Sequence, residues 1–235
     1  MLELLNKTLS PFDVSVTSSE WEKFALYAKL LKEWNEKINL TAITDDEGIC
    51  VKHFADSLTV LPTVKKLNPK SIADVGTGAG FPGIPLKIML PETKIYLIDS
   101  LEKRLTFLNT VIKELGLTGI ETVHLRAEDA GRNPRLRDKI DLVTARAVAA
   151  MPVLLEYCMP LVKPGGHFVP MKGTKDDGDY SHALSELQGR EDDKISFDLI
   201  SGDETAARNI YVFKKLSNTK GIYPRKAGIP SKKPL

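Results

Sequence analysis

This 235-residue sequence has only two cysteines and no long apolar run. Its first residues contain neither a basic region nor an apolar signal segment. The two cysteines, Cys50 and Cys158, are too few and too far apart for a disulfide framework or a zinc knuckle. The longest apolar stretch, residues 147–155, is about half as long as the roughly 18 residues of a membrane-spanning helix. The N-terminus lacks the features of a secretion signal. These absences predict a cytoplasmic protein with no metal site and no membrane span.

The rest of the composition is that of an ordinary folded protein. Hydrophobic residues make up 42% of the chain and charged residues 27%, which excludes wholesale disorder and a collagen-like chain. A length of 235 residues is near the upper end of one globular domain, so we expect one domain with an N-terminal extension.

Charge is distributed unevenly along the chain. The formal net charge is +2, but the segment from Lys214 to the end holds seven basic residues and no acidic residue. The preceding part therefore has 26 basic against 31 acidic residues, a net charge of −5. Glycine and proline interrupt the basic segment, which predicts an extended tail over residues 217–235. An acidic body with a cationic tail suits a polyanion such as nucleic acid, although a merely solubilising tail has the same composition.

Two helices precede the first strand signal. Apolar residues recur every three or four positions between Thr17 and Ile38, and a hydroxyl residue followed three positions later by glutamate gives this helix a capping box. A second helix is predicted over residues 46–61, where Pro62 would end it. We expect residues 1–66 to form a helical cap.

Strands and helices alternate from Ser71 onward. Helices are predicted over residues 83–90, 101–115, 151–161 and 180–187. Strands are predicted over residues 72–75, 94–98, 121–125, 140–144, 167–171, 195–200 and 209–214. This alternation predicts an α/β fold over residues 67–216, with a mostly parallel seven-stranded sheet whose last two strands pair antiparallel. A ligand crevice is then expected at the carboxyl ends of the parallel strands.

A glycine-rich loop carries the clearest chemical signal. Directly after the first predicted strand the chain reads Asp74-Val75-Gly76-Thr77-Gly78-Ala79-Gly80-Phe81-Pro82-Gly83. Glycine lets the backbone turn tightly here and approach a ligand that side chains would exclude. Asp99 ends the next strand, 19 residues beyond Gly80, where its carboxylate could accept hydrogen bonds from both hydroxyl groups of a ribose.

Two cofactors fit a loop of this form. Residues 78–83 match the G-x-G-x-x-G pattern of dinucleotide sites, whereas Asp74 followed by alternating glycines from Gly76 is typical of S-adenosylmethionine sites. Pro82 lacks a backbone N–H where a pyrophosphate would need a donor, and Asp74 brings a negative charge that suits sulfonium and ammonium groups. We therefore favour S-adenosylmethionine over a dinucleotide and over a glycine turn without a ligand.

Two residues after later strands extend this candidate site. Glu128 follows the third strand, at a position that lies beside the adenine in such folds, although the helix dipole also favours an acidic residue there. Arg146 follows the fourth strand, where its planar guanidinium suits a carboxylate or a phosphate, or forms a surface ion pair.

Motifs along nearly the whole chain resemble those of one family, the RsmG (GidB) family of bacterial small-subunit ribosomal RNA methyltransferases. Their combination is far more specific than the glycine loop alone. These motifs are Lys32–Asn35, Asn39–Thr41, His53–Ser57, Asp74–Leu86, Asp99–Ser100, Lys103–Arg104, Arg146–Ala147, Met171–Gly173 and Tyr223–Gly228.

The resemblance implies a Rossmann-like class I S-adenosylmethionine-dependent methyltransferase that acts on N7 of a guanine in the decoding-region loop of bacterial 16S ribosomal RNA. Carried over position by position, the donor contacts would be Gly76, Phe81, Ala127, Glu128 and Arg146. Asp99 as the ribose ligand and the loop residues Asp74 and Gly78 complete the expected cofactor site.

The implied reaction needs few catalytic groups. Guanine N7 carries an in-plane lone pair and no proton, so no general base is required. Catalysis then reduces to holding N7, the methyl carbon and the sulfur in line with little water between them. Arg146 would position the donor's carboxylate or an RNA phosphate and would stay away from N7, where a hydrogen bond would block the attack. It is the one positioning candidate, and no certain catalytic residue is assigned.

The expected partner is 16S ribosomal RNA or the small ribosomal subunit, with no obligate protein partner. A tail that acts only on RNA would be dispensable for donor binding. The candidate RNA contacts are Lys172, Arg225, Lys226, Lys232 and Lys233.

Two other functions stay open from the residues alone. An NAD-dependent oxidoreductase could use the same fold, but the sequence shows no set of residues for hydride transfer. A non-enzymatic RNA-binding protein could retain the pocket without using it.

Overall fold

A seven-stranded sheet forms the centre of the structure, a computed structural model that describes residues 1–173 and 178–235. Its strands are β1 (Ser71–Val75), β2 (Lys94–Asp99), β3 (Ile120–His124), β4 (Ile140–Arg146), β5 (Val162–Gly173), β6 (Gly189–Ser201) and β7 (Glu204–Lys215). Their spatial order is β3-β2-β1-β4-β5-β7-β6. The first five are parallel, and β7 pairs antiparallel with both β5 and β6. The predicted mostly parallel seven-stranded sheet is thus confirmed.

Helices cover both faces of this sheet. They are α1 (Leu2–Leu9), α2 (Ser18–Ile38), α3 (Asp46–Gly48), α4 (Asp56–Leu58), α5 (Leu61–Leu67), α6 (Gly83–Met89), α7 (Glu102–Glu114), α8 (Ala127–Ala130), α9 (Met151–Cys158), α10 (Ser181–Glu186) and α11 (Ile229–Lys232). A π-helical segment, Ile49–Ala55, joins α3 to α4. Within the described residues, none of these helices has the length and apolar character needed to cross a membrane.

The sequence pattern predicted that Pro62 ends a helix, but in the structure Pro62 lies in the first turn of one. The helix expected over residues 46–61 is divided into α3, the π-helical segment and α4, and α5 begins at Leu61 with Pro62 in its first turn. Proline is well accommodated there because the first N–H groups of a helix have no intrahelical partner. The sequence analysis also did not predict α1 or the first six residues of β6. Those residues of β6 are mostly exposed and polar, so they do not show the alternation of apolar and polar residues that indicates a strand.

The N-terminal helices pack on one face of the sheet and reach the glycine loop. The predicted capping box is present: the Glu20 N–H donates to Thr17 Oγ1 and the Thr17 N–H donates to the Glu20 carboxylate. Farther along α2, Tyr27 is fully buried and its hydroxyl donates to the carbonyl of Ala79 in the loop. One continuous hydrophobic cluster contains buried residues of α1, α2, α6 and α7. The cap therefore shares its core with this face of the sheet.

The basic C-terminal segment packs on the opposite face, against α9. Arg225 donates from Nη2 and Nε to Glu156, whose side chain is fully buried, and the Arg225 backbone N–H donates to the same carboxylate at 2.7 Å. The ring of Pro224 lies so close to Gly131 that a Cβ there would be 2.9 Å from Pro224 Cγ. The segment then forms α11. The prediction of an extended, non-helical tail is contradicted only at Ile229–Lys232, and most of the segment has no regular secondary structure. Its packing on the domain was not predicted, because Glu156, which holds Arg225, is far away in sequence.

We expect Arg225→Ala to lower the free energy of unfolding by about 3 kcal/mol, because it leaves the buried Glu156 carboxylate without its guanidinium partner. Lys232→Ala removes an equal charge from an exposed position of the same segment and should change stability by less than about 0.5 kcal/mol. Urea denaturation followed by circular dichroism measures both. Equal effects of the two substitutions would contradict a packed C-terminal segment.

Candidate functional site

A cavity of about 370 Å³ lies where the parallel strands end, at the point where the strand order reverses between β1 and β4. Gly76 follows β1, Asp99 ends β2, and Ala127 and Glu128 follow β3. Ala147 follows β4. Four strand ends thus contribute to one pocket, as the sequence pattern predicted.

The glycine loop has no room for side chains at two positions. Gly76 has φ 67°, and a Cβ there would lie 2.7 Å from Val148 Cγ2. Gly80 has φ 100°, and a Cβ there would lie 2.7 Å from the Tyr27 hydroxyl oxygen. Both φ values lie in the region that favours glycine. The backbone of the loop is therefore exposed to the cavity at Gly76 and packed under the cap at Gly80.

Asp74 is buried beneath the loop and does not line the cavity. Its Oδ2 accepts hydrogen bonds from the Thr77 hydroxyl at 2.6 Å and from the Gly83 N–H at 2.9 Å. Its Oδ1 is buried and has no partner among the residues that the structure describes. Burial raises the pKa of Asp74 to about 6, although the two hydrogen bonds lower it. Asp74 thus fixes both ends of the loop. The sequence motif alone could not distinguish this role from contact with the cofactor.

Asp99 lines the cavity and also holds the loop from the side of β2. Its Oδ2 accepts from the Gly78 N–H at 2.9 Å and from Arg104 Nη1 at 3.3 Å. Its Oδ1 accepts from the Leu101 N–H at 2.9 Å. Gly78, which was predicted to contact the cofactor, therefore hydrogen bonds to Asp99 and does not line the cavity.

The far wall of the cavity includes the C-terminal segment. Glu128 is buried, and its Oε1 accepts from the Gly228 N–H at 2.9 Å. Gly228 and Ser231 line the same cavity, beside Tyr157 of α9. The charge pattern had indicated RNA contact for this segment and missed its place in the pocket. The only sequence signal for Gly228 is its position in the Tyr223–Gly228 motif.

Phe81 packs behind the loop and is 5% exposed. Its ring stacks on the His53 imidazole, with centroids 4.5 Å apart and planes at 13°. The guanidinium carbon of Arg146 lies 5.1 Å from the Phe81 ring centroid. Phe81 therefore joins the loop to the cap and to the end of β4, and does not line the cavity.

Arg146 directs its guanidinium toward the cap. Nη1 donates to Asp56 Oδ2 at 2.7 Å and to the Lys52 carbonyl at 3.2 Å, and Nη2 approaches His53 Nδ1 at 3.5 Å. Because a guanidinium only donates, Nδ1 accepts, and His53 Nε2–H donates to Thr41 Oγ1 at 2.8 Å. Arg146 thus links the end of β4 to the cap through hydrogen bonds and an ion pair.

A second cavity of about 730 Å³ adjoins the first at Ala147, which lines both cavities, whereas Arg146 lines only the second. It is bounded by the π-helical segment, the end of β5 and the beginning of β7. Of the candidate RNA contacts, Lys172 lies in its wall with Nζ 2.8 Å from the Ala149 carbonyl. Lys226, Lys232 and Lys233 are exposed on the C-terminal segment, whereas Arg225 is held by Glu156.

His53 makes stability depend on pH. Burial and the neighbouring Arg146 lower the pKa of His53 to about 4, from an ordinary value of 6.5. Between these pH values the unfolded chain takes up a proton at His53 that the folded chain excludes, so the contribution of His53 to the free energy of unfolding falls as pH drops from 6.5 to 4. The full difference is about 3 kcal/mol.

We expect His53→Gln to lose this dependence, and His182→Gln, which changes an exposed histidine, to retain it. The measurement is urea denaturation at several pH values between 4 and 7, with each variant compared to the unsubstituted chain. If the unsubstituted chain and His53→Gln differ by a constant amount across that range, His53 does not titrate as described.

Comparisons with known proteins agree with this geometry. The family model of GidB, described as rRNA small subunit methyltransferase G, matches residues 20–205. "Ribosomal RNA small subunit methyltransferase G" of Acetivibrio thermocellus is 51% identical over 235 residues, covering 99% of this chain and 96% of that protein. The protein of the same name from Desulfitobacterium hafniense is 52% identical over 237 residues, covering 99% and 97%.

Solved structures share the fold at low sequence identity. A SAM-dependent methyltransferase from Aquifex aeolicus superimposes with a TM-score of 0.52 at 18% identity, covering 72% of this chain and 93% of that one. The precorrin-6y C5,15-methyltransferase of Geobacter metallireducens has a TM-score of 0.52 at 16% identity, covering 67% and 86%. Both show the Rossmann-like class I architecture. On the family match and the near-complete relatives, this chain belongs to the rRNA small subunit methyltransferase G (GidB) family.

Proposed function

We propose that this protein transfers a methyl group from S-adenosylmethionine to N7 of a guanine in the decoding-region loop of bacterial 16S ribosomal RNA. The observation that carries this proposal is the pair of adjoining cavities, one lined by the glycine loop and Asp99 and the other by basic side chains. The family assignment supplies the class of reaction. The same reaction places the protein in the cytoplasm, where the small ribosomal subunit is assembled.

The residues of the first cavity fit S-adenosylmethionine. A Cβ at Gly76 would collide with Val148, so glycine is required where the loop backbone lines the cavity. Asp99 lines the cavity, and we assign its carboxylate to the two ribose hydroxyl groups. Ala127 and Glu128 line the cavity after β3, and we assign them to the adenine. Asp74 holds the loop from beneath, and the loop residues Gly78 and Phe81 do not line the cavity. Arg146 does not line it either and lies in the wall of the second cavity.

A dinucleotide fits the loop less well. A pyrophosphate would need N–H donors at the start of α6. The Gly83 N–H there already donates to Asp74 Oδ2, and Pro82 has no N–H. The Asp74 carboxylate would also repel a diphosphate. S-adenosylmethionine carries a sulfonium and an ammonium group and no diphosphate, so it needs no such N–H donors and is not repelled by Asp74.

The reaction requires positioning more than acid–base chemistry. S-adenosylmethionine, when bound, supplies a methyl group on a positively charged sulfur. Guanine N7 has a lone pair and no proton, so no side chain needs to remove one. Arg146 donates to Asp56, His53 and Lys52, and is thereby kept from hydrogen bonding to N7. The protein's contribution is to hold donor and base in line and to exclude water between them.

Asp99→Ala should weaken binding of S-adenosylmethionine by about 1–3 kcal/mol, because charge-assisted hydrogen bonds to the ribose are lost. Asp129→Ala is a matched control, since Asp129 is exposed and does not line the cavity. Isothermal titration calorimetry on both variants measures the change. If Asp99→Ala binds the donor as tightly as Asp129→Ala does, Asp99 is not the ribose ligand.

The product should be 7-methylguanosine at a single position of 16S RNA. The test uses 16S RNA and small subunits from cells that lack the protein, labelled S-adenosylmethionine, and mass spectrometry of the released nucleosides. Comparison of free RNA with subunits shows which of the two is the substrate. RNA binding without methyl transfer to either would instead support the non-enzymatic alternative, and a different methylated nucleoside would refute N7 as the acceptor.

A further inference from the structure

We propose that the second cavity receives the target nucleotide and that Arg208 binds one of its phosphates there. This inference rests on the proposed function, because it assigns the RNA side of the same site. It adds a residue that none of the sequence motifs contains and that the charge of the tail did not indicate.

The position of the second cavity suits an acceptor. It shares Ala147 with the cofactor cavity, so a base that enters the second cavity can reach the bound donor at that residue. Its volume of about 730 Å³ is larger than that of the cofactor cavity. A nucleotide that has left its base stack therefore finds adequate space there.

One buried carboxylate arranges two guanidinium groups in this cavity. Asp56 Oδ2 accepts from Arg146 Nη1 at 2.7 Å, and Asp56 Oδ1 accepts from Arg208 Nε at 2.8 Å. The Asp56 side chain is 5% exposed. Asp56 begins α4, Arg146 ends β4 and Arg208 lies in β7, so three separate elements meet at this carboxylate. Two positive charges share one negative charge, which leaves a surplus of one positive charge in the wall.

Arg208 is the guanidinium with donors left for a ligand. Arg146 uses both terminal nitrogens on Asp56, Lys52 and His53. Arg208 uses Nε on Asp56 and Nη1 on the Ala207 carbonyl, and within residues 1–173 and 178–235 no acceptor is recorded for its Nη2. Its side chain is 25% exposed, whereas that of Arg146 is 13% exposed. The planar fork of a guanidinium is well matched to a phosphate.

Among the described residues, the lining of the second cavity contains more basic than acidic side chains. Lys52 and Lys172 lie in its wall, and Asp56 is its only acidic lining residue among those described. Glu204 pairs with Lys52 at 2.5 Å, so the positive charge available to an anion is the surplus of Arg146 and Arg208 over Asp56. An RNA strand that crosses this wall would bring a phosphate to Arg208 while its base reaches the boundary with the cofactor cavity.

The test compares Arg208→Gln with Arg190→Gln, which removes the same charge from an exposed position of β6 outside the cavity. We expect Arg208→Gln to raise the KM for 16S RNA or small subunits at least about tenfold. The slope of log affinity for 16S RNA against log salt, measured by filter binding without turnover, should decrease by about 0.7–0.9 for one lost phosphate contact. The Kd for S-adenosylmethionine should stay unchanged.

Arg208→Lys keeps the charge and serves if Arg208→Gln does not fold. We expect it to retain the salt slope and to raise the KM for RNA, because an ammonium lacks the planar fork. A salt slope for Arg208→Gln equal to that of Arg190→Gln, or an unchanged KM for Arg208→Lys, would overturn the inference. If Arg208→Gln also weakened the binding of S-adenosylmethionine, the inference would be overturned, because Arg208 would then bind the carboxylate of the donor instead of an RNA phosphate.

Failure of the proposed function has a different signature. The unsubstituted chain would then transfer no methyl group to RNA. The salt slopes of RNA binding would still decide whether Arg208 contacts a phosphate.

Discussion

Two buried carboxylates fix the backbone of the glycine loop, and the rest of the site depends on that fixation. Asp74 holds the loop from beneath through Thr77 and Gly83, and Asp99 holds it from the side through the Gly78 N–H. A loop of glycines has high conformational entropy when it is unrestrained. The two carboxylates therefore convert a flexible sequence into a defined wall of the cofactor cavity.

Packing around this loop connects it to distant parts of the chain. Tyr27 reaches it from the cap through the Ala79 carbonyl, and His53 stacks on Phe81. On the other side of the cavity, Glu128 accepts from Gly228 of the C-terminal segment. The same pocket is thus bounded by residues near both ends of the chain. Cap, sheet and C-terminal segment consequently form one structural unit around the site.

Local patterns predicted those features that depend on neighbouring residues. The strand–loop–helix unit around Gly76, the capping box at Thr17 and the position of Asp99 at the end of β2 all follow from spacing or strand order. The choice of S-adenosylmethionine over a dinucleotide is confirmed by the family assignment. The individual roles of the predicted donor-binding residues stay predictions.

Contacts between residues far apart in sequence could not be predicted in this way. Glu156 lies 69 positions from Arg225, and Asp56 lies 152 positions from Arg208. No period or motif relates such residues, so the basic tail could be interpreted only from its charge and from its glycine and proline residues. Likewise Arg146 was expected to face a ligand, because its partners in the cap are not adjacent in the sequence.

The most direct test of this account is a crystal structure of the protein with S-adenosylhomocysteine, the product left after methyl transfer. The account predicts the ribose hydroxyl groups at the Asp99 carboxylate and the sulfur directed toward the boundary at Ala147, with the second cavity beyond it. Electron density for the ligand outside the first cavity, or in it with the sulfur turned away from that boundary, would contradict it.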